Sequence, residues 1–236
     1  MNLADSTWTE VRDLDTDLAL LPVGSTEQHG PHAPLGTDAI AAETVAETAA
    51  AQCDVEVLVA PTVDYGVSEE HRAFDGTLWL SPDTFRAVVR DAVRSLAHHG
   101  FDRVVVVNGH GGNVEALAEA CRRLTRGGEA YAVPFTWFQG EEEMGHAGVV
   151  ETSLLRHVAP ELVRTDRIEE ASAGAVDRWG EWVSGVNLAV DSDEFTENGV
   201  VGDPGEATAD VGEELLTRAS EALCELLSAV ETRDRA

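Results

Sequence analysis

The stretch RVVVVNGHGGN, residues 103–113, decides the class of fold. Four consecutive valines are typical of a parallel strand that is covered on both faces. The glycines that follow allow a tight turn and let the backbone approach a ligand closely. Residues 113–126 then have helical spacing, with Asn113 as a candidate N-cap. This stretch therefore predicts a strand, a turn and a helix in succession.

The rest of the chain alternates strands and helices in the same way. We predict strands at 17–23, 55–60 and 130–135, and helices at 38–52, 82–99, 149–158 and 206–230. Residues 171–201 give no clear pattern. Such alternation indicates a layered α/β fold with a largely parallel sheet. No linker, repeat or low-complexity tract interrupts the chain, so we predict one domain over residues 1–236.

The charge of the chain is strongly negative. It carries 44 acidic residues against 16 basic ones, for a net charge of −28, and all the basic residues are arginines. This charge repels the phosphates of nucleic acids and of anionic membranes, so we expect neither as a partner. The acids are spread along the chain. We interpret them as a surface adapted to high salt and expect a halophilic archaeal source; the alternative is an acidic segment that binds basic partners.

The cysteines and the N-terminal residues are used to predict the cellular compartment. Cys53, Cys121 and Cys224 are an odd, scattered set, which argues against a disulfide framework and favours a reducing cytosol. Residues 1–10 lack the apolar core of a signal peptide, and no apolar run is long enough to span a bilayer. We therefore expect a soluble, cytoplasmic protein.

The first polar cluster follows the first predicted strand. In GSTEQHGPH, residues 24–32, Glu27 and His29 are two residues apart, so in an extended segment both side chains leave the same face. Asp38 opens the next predicted helix, where the helix dipole favours a carboxylate. Carboxylates combined with imidazoles suit zinc, manganese or iron(II) better than magnesium or calcium.

Two further clusters contain histidines among glycines. His110 follows the valine strand, and His146 lies in GHAG, residues 145–148, with Glu151 one helical turn beyond Gly148. Taken singly, each histidine is explained by ordinary hydrogen bonding at the surface. The GHGGN turn could also cradle a phosphate, although no GK[ST] sequence or nearby basic residue accompanies it. Together, three such clusters near one edge of the sheet favour a metal site.

Five segments resemble the signature blocks of the creatininase (creatinine amidohydrolase) family, in order along nearly the whole chain. They are PVGSTEQHGPHAPLGTD (22–38), EEHRAFDGT (69–77), NGHGGN (108–113), HAGVVETS (146–153) and NGVVGDP (198–204). The resemblance implies a three-layer α/β/α sandwich, two divalent metal ions per chain and a homohexamer. It also implies that Glu27, His29, Asp38 and His110 are metal ligands, with Asp38 bridging the two ions.

One position departs from the family pattern. Creatininases have a glutamate ligand two residues after the histidine of the NGH block, where this chain has Gly112. Glu151 is the candidate for the missing carboxylate. The departure is similar to the branch that contains archaeal formamidopyrimidine deformylase and mycofactocin-type peptidases. With an archaeal source, we favour a deformylase of flavin or deazaflavin biosynthesis, and keep creatinine hydrolysis and peptide cleavage as alternatives.

These expectations define a metal-dependent hydrolase of small-molecule C–N bonds. We expect His146 to donate the proton to the leaving nitrogen, or else to orient Glu151. The remaining candidates are expected to line the substrate pocket, or to serve as ordinary loop or core residues: His32, His71, Gly111, Gly112 and Trp137. Together with Trp179 and Trp182, Trp137 could form a lid over a flat heterocycle; the alternative is a core or interface position. A non-catalytic metal-binding module and a purely structural subunit are the competing classes.

We predict that the stability of the fold depends on salt. At low ionic strength the unscreened carboxylates repel one another over about 30 Å, which destabilises the compact state. The melting temperature should therefore be higher in about 2 M than in about 0.05 M potassium chloride, measured by differential scanning calorimetry. Equal melting temperatures would mean that the acids are already neutralised by pairing.

Overall fold

The structure is a computed structural model that describes residues 1–141 and 144–233. Its centre is a parallel sheet of four strands in the order β2-β1-β3-β4. The strands are β1 (Leu18–Val23), β2 (Leu58–Val59), β3 (Arg103–Asn108) and β4 (Tyr131–Thr136). The valines of β3 are completely buried. The prediction of a strand covered on both faces is therefore confirmed.

Helices cover both faces of this sheet. They are α1 (Trp8–Arg12), α2 (Thr37–Gln52), α3 (Pro82–His98), α4 (Val114–Arg126), α5 (Val149–Val158), α6 (Ile168–Ala173) and α7 (Ala209–Glu231). One core cluster lies between the sheet and α2, α5 and α7, and a second lies between the sheet and α3 and α4. The three-layer α/β/α sandwich is thus confirmed for the described residues, and residues 142–143 and 234–236 of the predicted domain lie outside them.

The N-cap predicted for α3 is confirmed, whereas the one predicted for α4 is not. Ser81 caps α3 through its side chain, with Pro82 at the first helical position, as its sequence predicts. Asn113 makes no capping hydrogen bond. Its amide instead donates to the carbonyl of Gly24 and accepts from the N–H of Val67. The prediction of an Asn113 cap is therefore wrong, because the side chain joins neighbouring loops.

The region 171–201, which gave no clear pattern, holds a short hairpin beyond α6. Its strands are β5 (Trp182–Val183) and β6 (Val186–Asn187). Ser184 and Gly185 both have positive φ angles, 50° and 82°, as a two-residue hairpin turn requires. A pair of two-residue strands is too short to show a periodicity, which explains why the sequence did not reveal it.

Two of the cysteines are joined, contrary to the sequence prediction. Cys53 follows the last residue of α2, Cys224 lies in α7, and the structure records a disulfide between them. Their separation of 171 residues hid the pair, since only the packing of α2 against α7 brings them together. Cys121 is free and buried. The cysteine pattern therefore gives no support to a cytoplasmic location.

Helices long and apolar enough to cross a bilayer are absent from the described part of the chain.

We predict that the disulfide contributes measurably to stability. Replacing Cys53 and Cys224 by serine should lower the free energy of unfolding by about 2–5 kcal/mol, because the bond constrains a long loop of the unfolded chain. Urea denaturation checks this value, with Cys121→Ser as the matched control. Thiol titration of the denatured, unreduced protein should find Cys121 alone; three free thiols would contradict the pairing.

Candidate metal centre

The predicted ligands meet at the carboxyl ends of β1 and β3, which are neighbours in the sheet. Glu27 and His29 lie in the loop after β1, and His110 follows β3 directly. Asp38 is the second residue of α2, and Glu151 lies in the first turn of α5. The topology thus collects side chains from residues 27 to 151 at one edge of the sheet, where this class of fold binds its ligands.

Two glycines permit the close approach of these segments. A β-carbon on Gly24 would lie 2.4 Å from the backbone nitrogen of Ala39, and one on Gly109 would lie 2.0 Å from the carbonyl oxygen of Asp38. Neither position can therefore accept a side chain without moving the backbone. The loops after β1 and β3 consequently rest against the start of α2, and His110 reaches Asp38.

Asp38 stands between two imidazoles. Its Oδ1 lies 3.2 Å from Nε2 of His29, and its Oδ2 lies 3.1 Å from Nδ1 of His110. Oε1 of Glu27 is 3.2 Å from the same nitrogen of His110, whereas Oε1 of Glu151 is 3.6 Å from Nε2 of His29. Two clusters of potential ligands result, one around His110 and one around His29, with a carboxylate oxygen of Asp38 facing each.

The three carboxylates are buried without an arginine partner among the described residues. Glu27, Asp38 and Glu151 are 0%, 2% and 5% exposed, and their ion-pair contacts in the described chain are all with histidines. Both oxygens of Glu27, and Oδ2 of Asp38, make no hydrogen bond within that part of the chain. Burying several carboxylates in this way is costly unless cations neutralise them. The donor set therefore fits divalent metal ions.

Three imidazoles are oriented from behind by backbone carbonyls. Nδ1 of His29 lies 3.2 Å from the carbonyl oxygen of Glu27, Nε2 of His110 lies 2.7 Å from that of Val67, and Nε2 of His146 lies 2.7 Å from that of Gln28. A carbonyl can only accept, so each of these nitrogens carries a proton. The other ring nitrogen faces the carboxylates, which is the usual arrangement of histidine at a metal site.

Burial and the nearby charges divide the four histidines of the site into two groups by their pKa values. Burial opposes protonation of His29 and His110, but the facing carboxylates outweigh it and raise the pKa of both well above the ordinary value. Burial also raises the pKa of Asp38, yet the two imidazoles overcome that effect and hold it below its usual range. Burial lowers the pKa of His146 and of His71, so both rings are neutral near pH 7.

The carboxylate of Glu151 is held by a backbone N–H that lies just before its own helix, α5. Its Oε2 accepts from the N–H of Ala147 at 2.5 Å, and Ala147 has a positive φ of 55°. A non-glycine residue in this region is strained, and such strain is concentrated at functional sites. The backbone at His146 is fixed in turn by a pair of hydrogen bonds to Val201, both 2.8 Å. The segment 146–151 is therefore a rigid support for both side chains.

A cavity of about 890 Å³ opens onto the centre. Its wall includes Glu27, His110 and Glu151, together with four other residues predicted from the sequence: His71, Gly111, Gly112 and His146. His32 and Trp137 do not line it. Nε2 of His32 is 2.8 Å from the hydroxyl of Thr152, and Trp137 is packed in the core between the sheet and α2. The structure thus gives these two the loop and core positions left open as alternatives.

The wall also contains Trp179, one of the three tryptophans that could form a lid. Four other residues of the wall were missed by sequence reasoning: Phe138 and Met144 supply apolar surface, and Glu70 and Arg178 supply charge. Arg178 falls in the region without a recognisable pattern. Glu70 precedes His71 in a block that resembles the family, so its position beside a candidate histidine was an available signal.

Glu70 also helps to explain why this chain has glycine at position 112, where creatininases have a glutamate. A β-carbon on Gly112 would lie 2.2 Å from the carbonyl oxygen of Val67 and 3.0 Å from Oε1 of Glu70. The space that a glutamate side chain would need at position 112 is therefore taken by the backbone of Val67, the His110 ring and the Glu70 carboxylate. Glycine is required here, and Glu151 stays the predicted source of the missing carboxylate.

The chain is similar in sequence to known proteins. The sequence profile of creatininase, described as creatinine amidohydrolase, matches residues 4–227. The mycofactocin precursor peptide peptidase of Mycolicibacterium smegmatis is 42% identical over 204 residues, which cover 84% of this chain and 79% of that protein. The creatinine amidohydrolase of Pseudomonas putida is 31% identical over 176 residues, 63% of this chain and 67% of that one.

Solved structures show the same fold. A mutant creatininase complexed with creatine superposes with a TM-score of 0.80 at 26% identity, covering 98% of this chain and 99% of that one. A manganese form of creatininase gives 0.79 at 26% identity with the same coverage. Since the profile spans almost the whole chain and the peptidase relative covers most of it, this protein belongs to the creatininase (creatinine amidohydrolase) family.

Proposed function

We propose that this protein is an amidohydrolase that binds two divalent metal ions and cleaves the amide bond of a peptide. The observation that carries the proposal is the group of three buried carboxylates, Glu27, Asp38 and Glu151, which face imidazoles and no arginine within the described residues. Family membership supports hydrolytic chemistry on C–N bonds.

The arrangement of the potential ligands supports two ions. Glu27, Asp38 and His110 form one group whose ligand atoms lie within 4.8 Å of one another, and His29, His146 and Glu151 form a second. Asp38 presents one oxygen to an imidazole of each group, which supports its proposed role as the bridge. The mixed nitrogen and oxygen ligands suit zinc, iron or manganese.

Metal ions in this place would polarise the scissile carbonyl and lower the pKa of a bound water. The residues of the chain supply the proton transfer. The ring of His146 is neutral and its Nδ1 faces the cavity, since its Nε2 donates to the carbonyl of Gln28. It can therefore take a proton from the attacking water and give it to the leaving nitrogen. We propose His146 as this acid–base residue; the alternative is that it ligates the second ion.

The choice of substrate rests on the relatives and on the cavity. A protein that is 42% identical is named for cleavage of a precursor peptide, whereas the creatinine amidohydrolase is 31% identical. The cavity, about 890 Å³, falls in the range that holds a ligand of drug size, larger than a single small ring needs. Its wall combines Arg178 with the apolar side chains of Trp179, Phe138 and Met144, which suits a peptide end with a bulky side chain.

The finer sequence expectations stay predictions. Formamidopyrimidine deformylation is an untested alternative that no relative named above supports. A homo-oligomer, expected as a hexamer, gains support from the apolar residues Val183, Val186 and Leu188 of the hairpin region, which are 57–59% exposed. The halophilic source is proposed from the net charge of −28, and the cytoplasmic location stays a prediction.

We predict that the metal-loaded protein hydrolyses peptides near one end and turns over formamidopyrimidines and creatinine more slowly. The purified protein, loaded with zinc or manganese, should be assayed with short peptides that end in an aromatic residue, with a formamidopyrimidine and with creatinine. Chelated protein is the control. Equal or faster turnover of the formamidopyrimidine would contradict the peptide proposal and favour the deformylase.

We predict that two substitutions in the metal centre differ in their effects on metal content and on turnover. Asp38→Ala should remove bound metal and activity together, because the ions lose the negative charge that offsets their mutual repulsion. His146→Ala should retain metal and lose about 10²- to 10⁴-fold in kcat, the usual contribution of an acid–base residue. Elemental analysis and turnover on both variants measure this.

The matched control for these variants is His98→Ala, which removes an exposed histidine at the end of α3. It should leave metal content and turnover unchanged. Loss of one ion in His146→Ala would instead identify His146 as a ligand, and full metal retention in Asp38→Ala would rule out the bridge.

A further inference from the structure

His71 differs from the three histidines that are backed by carbonyls. Its ring stacks on that of His146 with centroids 4.4 Å apart, and its Nε2 lies 3.4 Å from Oε1 of Glu27. By distance alone, His71 forms a third potential ligand group with Glu27 and His146. Whether it can act as a ligand depends on which ring nitrogen carries the proton.

The other ring nitrogen of His71, Nδ1, faces the side-chain amide of Gln28. Nδ1 of His71 lies 2.8 Å from the side-chain nitrogen of Gln28, which is itself buried. That –NH₂ group can only donate, so Nδ1 must accept. The hydroxyl of Ser192 also lies 3.1 Å from Nδ1, but it donates to the carbonyl oxygen of Glu70 at 2.9 Å. Accordingly, the proton of the neutral ring is on Nε2.

The orientation of the Gln28 amide is fixed by two backbone groups. Its Oε1 accepts from the N–H of Gly30 at 2.9 Å, and its Nε2 donates to the carbonyl oxygen of Gly199 at 3.0 Å. Turning the amide over would oppose donor to donor at Gly30 and acceptor to acceptor at Gly199. Both hydrogens of the –NH₂ group are therefore committed, one to Gly199 and one to His71.

We infer that Gln28 holds His71 in the tautomer protonated on Nε2, so that His71 faces the metal centre as a hydrogen-bond donor and not as a ligand. Gln28 is the positioning residue, and His71 is the group it positions. The cavity then contains an N–H of His71 beside the free Nδ1 of His146. A donor next to an acceptor matches the C=O and N–H of a substrate amide. This role rests on the proposed metal centre, whereas the tautomer itself does not.

The tautomer can be measured without activity. The full chain is labelled with ¹⁵N-histidine, and multiple-bond ¹H–¹⁵N spectra are recorded on the metal-free protein and after loading with ¹¹³Cd. His71→Gln identifies the signals of this ring by their disappearance. We expect His71 to be protonated on Nε2 in the metal-free protein. With ¹¹³Cd, we expect scalar coupling to Nε2 of His29 and Nδ1 of His110, and none to His71.

Gln28→Glu is the decisive variant, because a carboxylate accepts where the amide donates. The proton of His71 should move to Nδ1, and its Nε2 should gain coupling to ¹¹³Cd. Gln52→Glu, which adds the same charge at the exposed end of α2, should change neither. The wild-type spectra decide the matter even where the variant fails to fold.

Several results would overturn the inference. A wild-type His71 that is protonated on Nδ1 or on both nitrogens contradicts it, as does coupling between ¹¹³Cd and Nε2 of His71. An unchanged tautomer in folded Gln28→Glu would show that Gln28 is not its cause. Absence of coupling to every histidine would refute the proposed metal centre instead, while the tautomer of the metal-free protein would still be read directly.

Discussion

The mutual repulsion of Glu27, Asp38 and Glu151 is the constraint on which the rest of the site depends. These carboxylates are almost completely buried and face only imidazoles within the described residues. Without metal, protons on His29 and His110 offset part of the charge, as their raised pKa values show. Divalent cations would replace those protons, so that binding metal and releasing protons are one event.

Backbone groups, more than side-chain packing, set the chemistry of the centre. Three imidazoles of the centre, those of His29, His110 and His146, take their tautomers from backbone carbonyls of Glu27, Val67 and Gln28. Asn113 links the loops that carry them through Gly24 and Val67. A shift of one loop therefore changes the orientation of a side chain on another loop. For His71, it would also change which ring nitrogen donates and which accepts.

Much of the fold and of the centre was predictable from the sequence, for identifiable reasons. The valine strand and the helices have periodic patterns, so α2, α4 and α5 begin and end within about two residues of the predicted bounds. The clusters around Glu27 and His110 were visible because residues with metal-binding groups stand among glycines. Arg178, the hairpin and the Cys53–Cys224 bond were not, since each depends on contacts between distant segments. The role of Gln28 depends on one amide's orientation, which no spacing encodes.

The disulfide gives the molecule a covalent topology that its fold alone does not have. The bond closes a ring from Cys53 to Cys224, which contains His110, His146 and Glu151. Glu27, His29 and Asp38 lie on the arm that precedes the ring. A protease cut at the exposed hairpin of residues 182–187 would therefore open the ring and leave both fragments tied together. The disulfide would then keep Val201 and α7, which pack against the segments that carry the centre, attached to those segments after the chain is nicked.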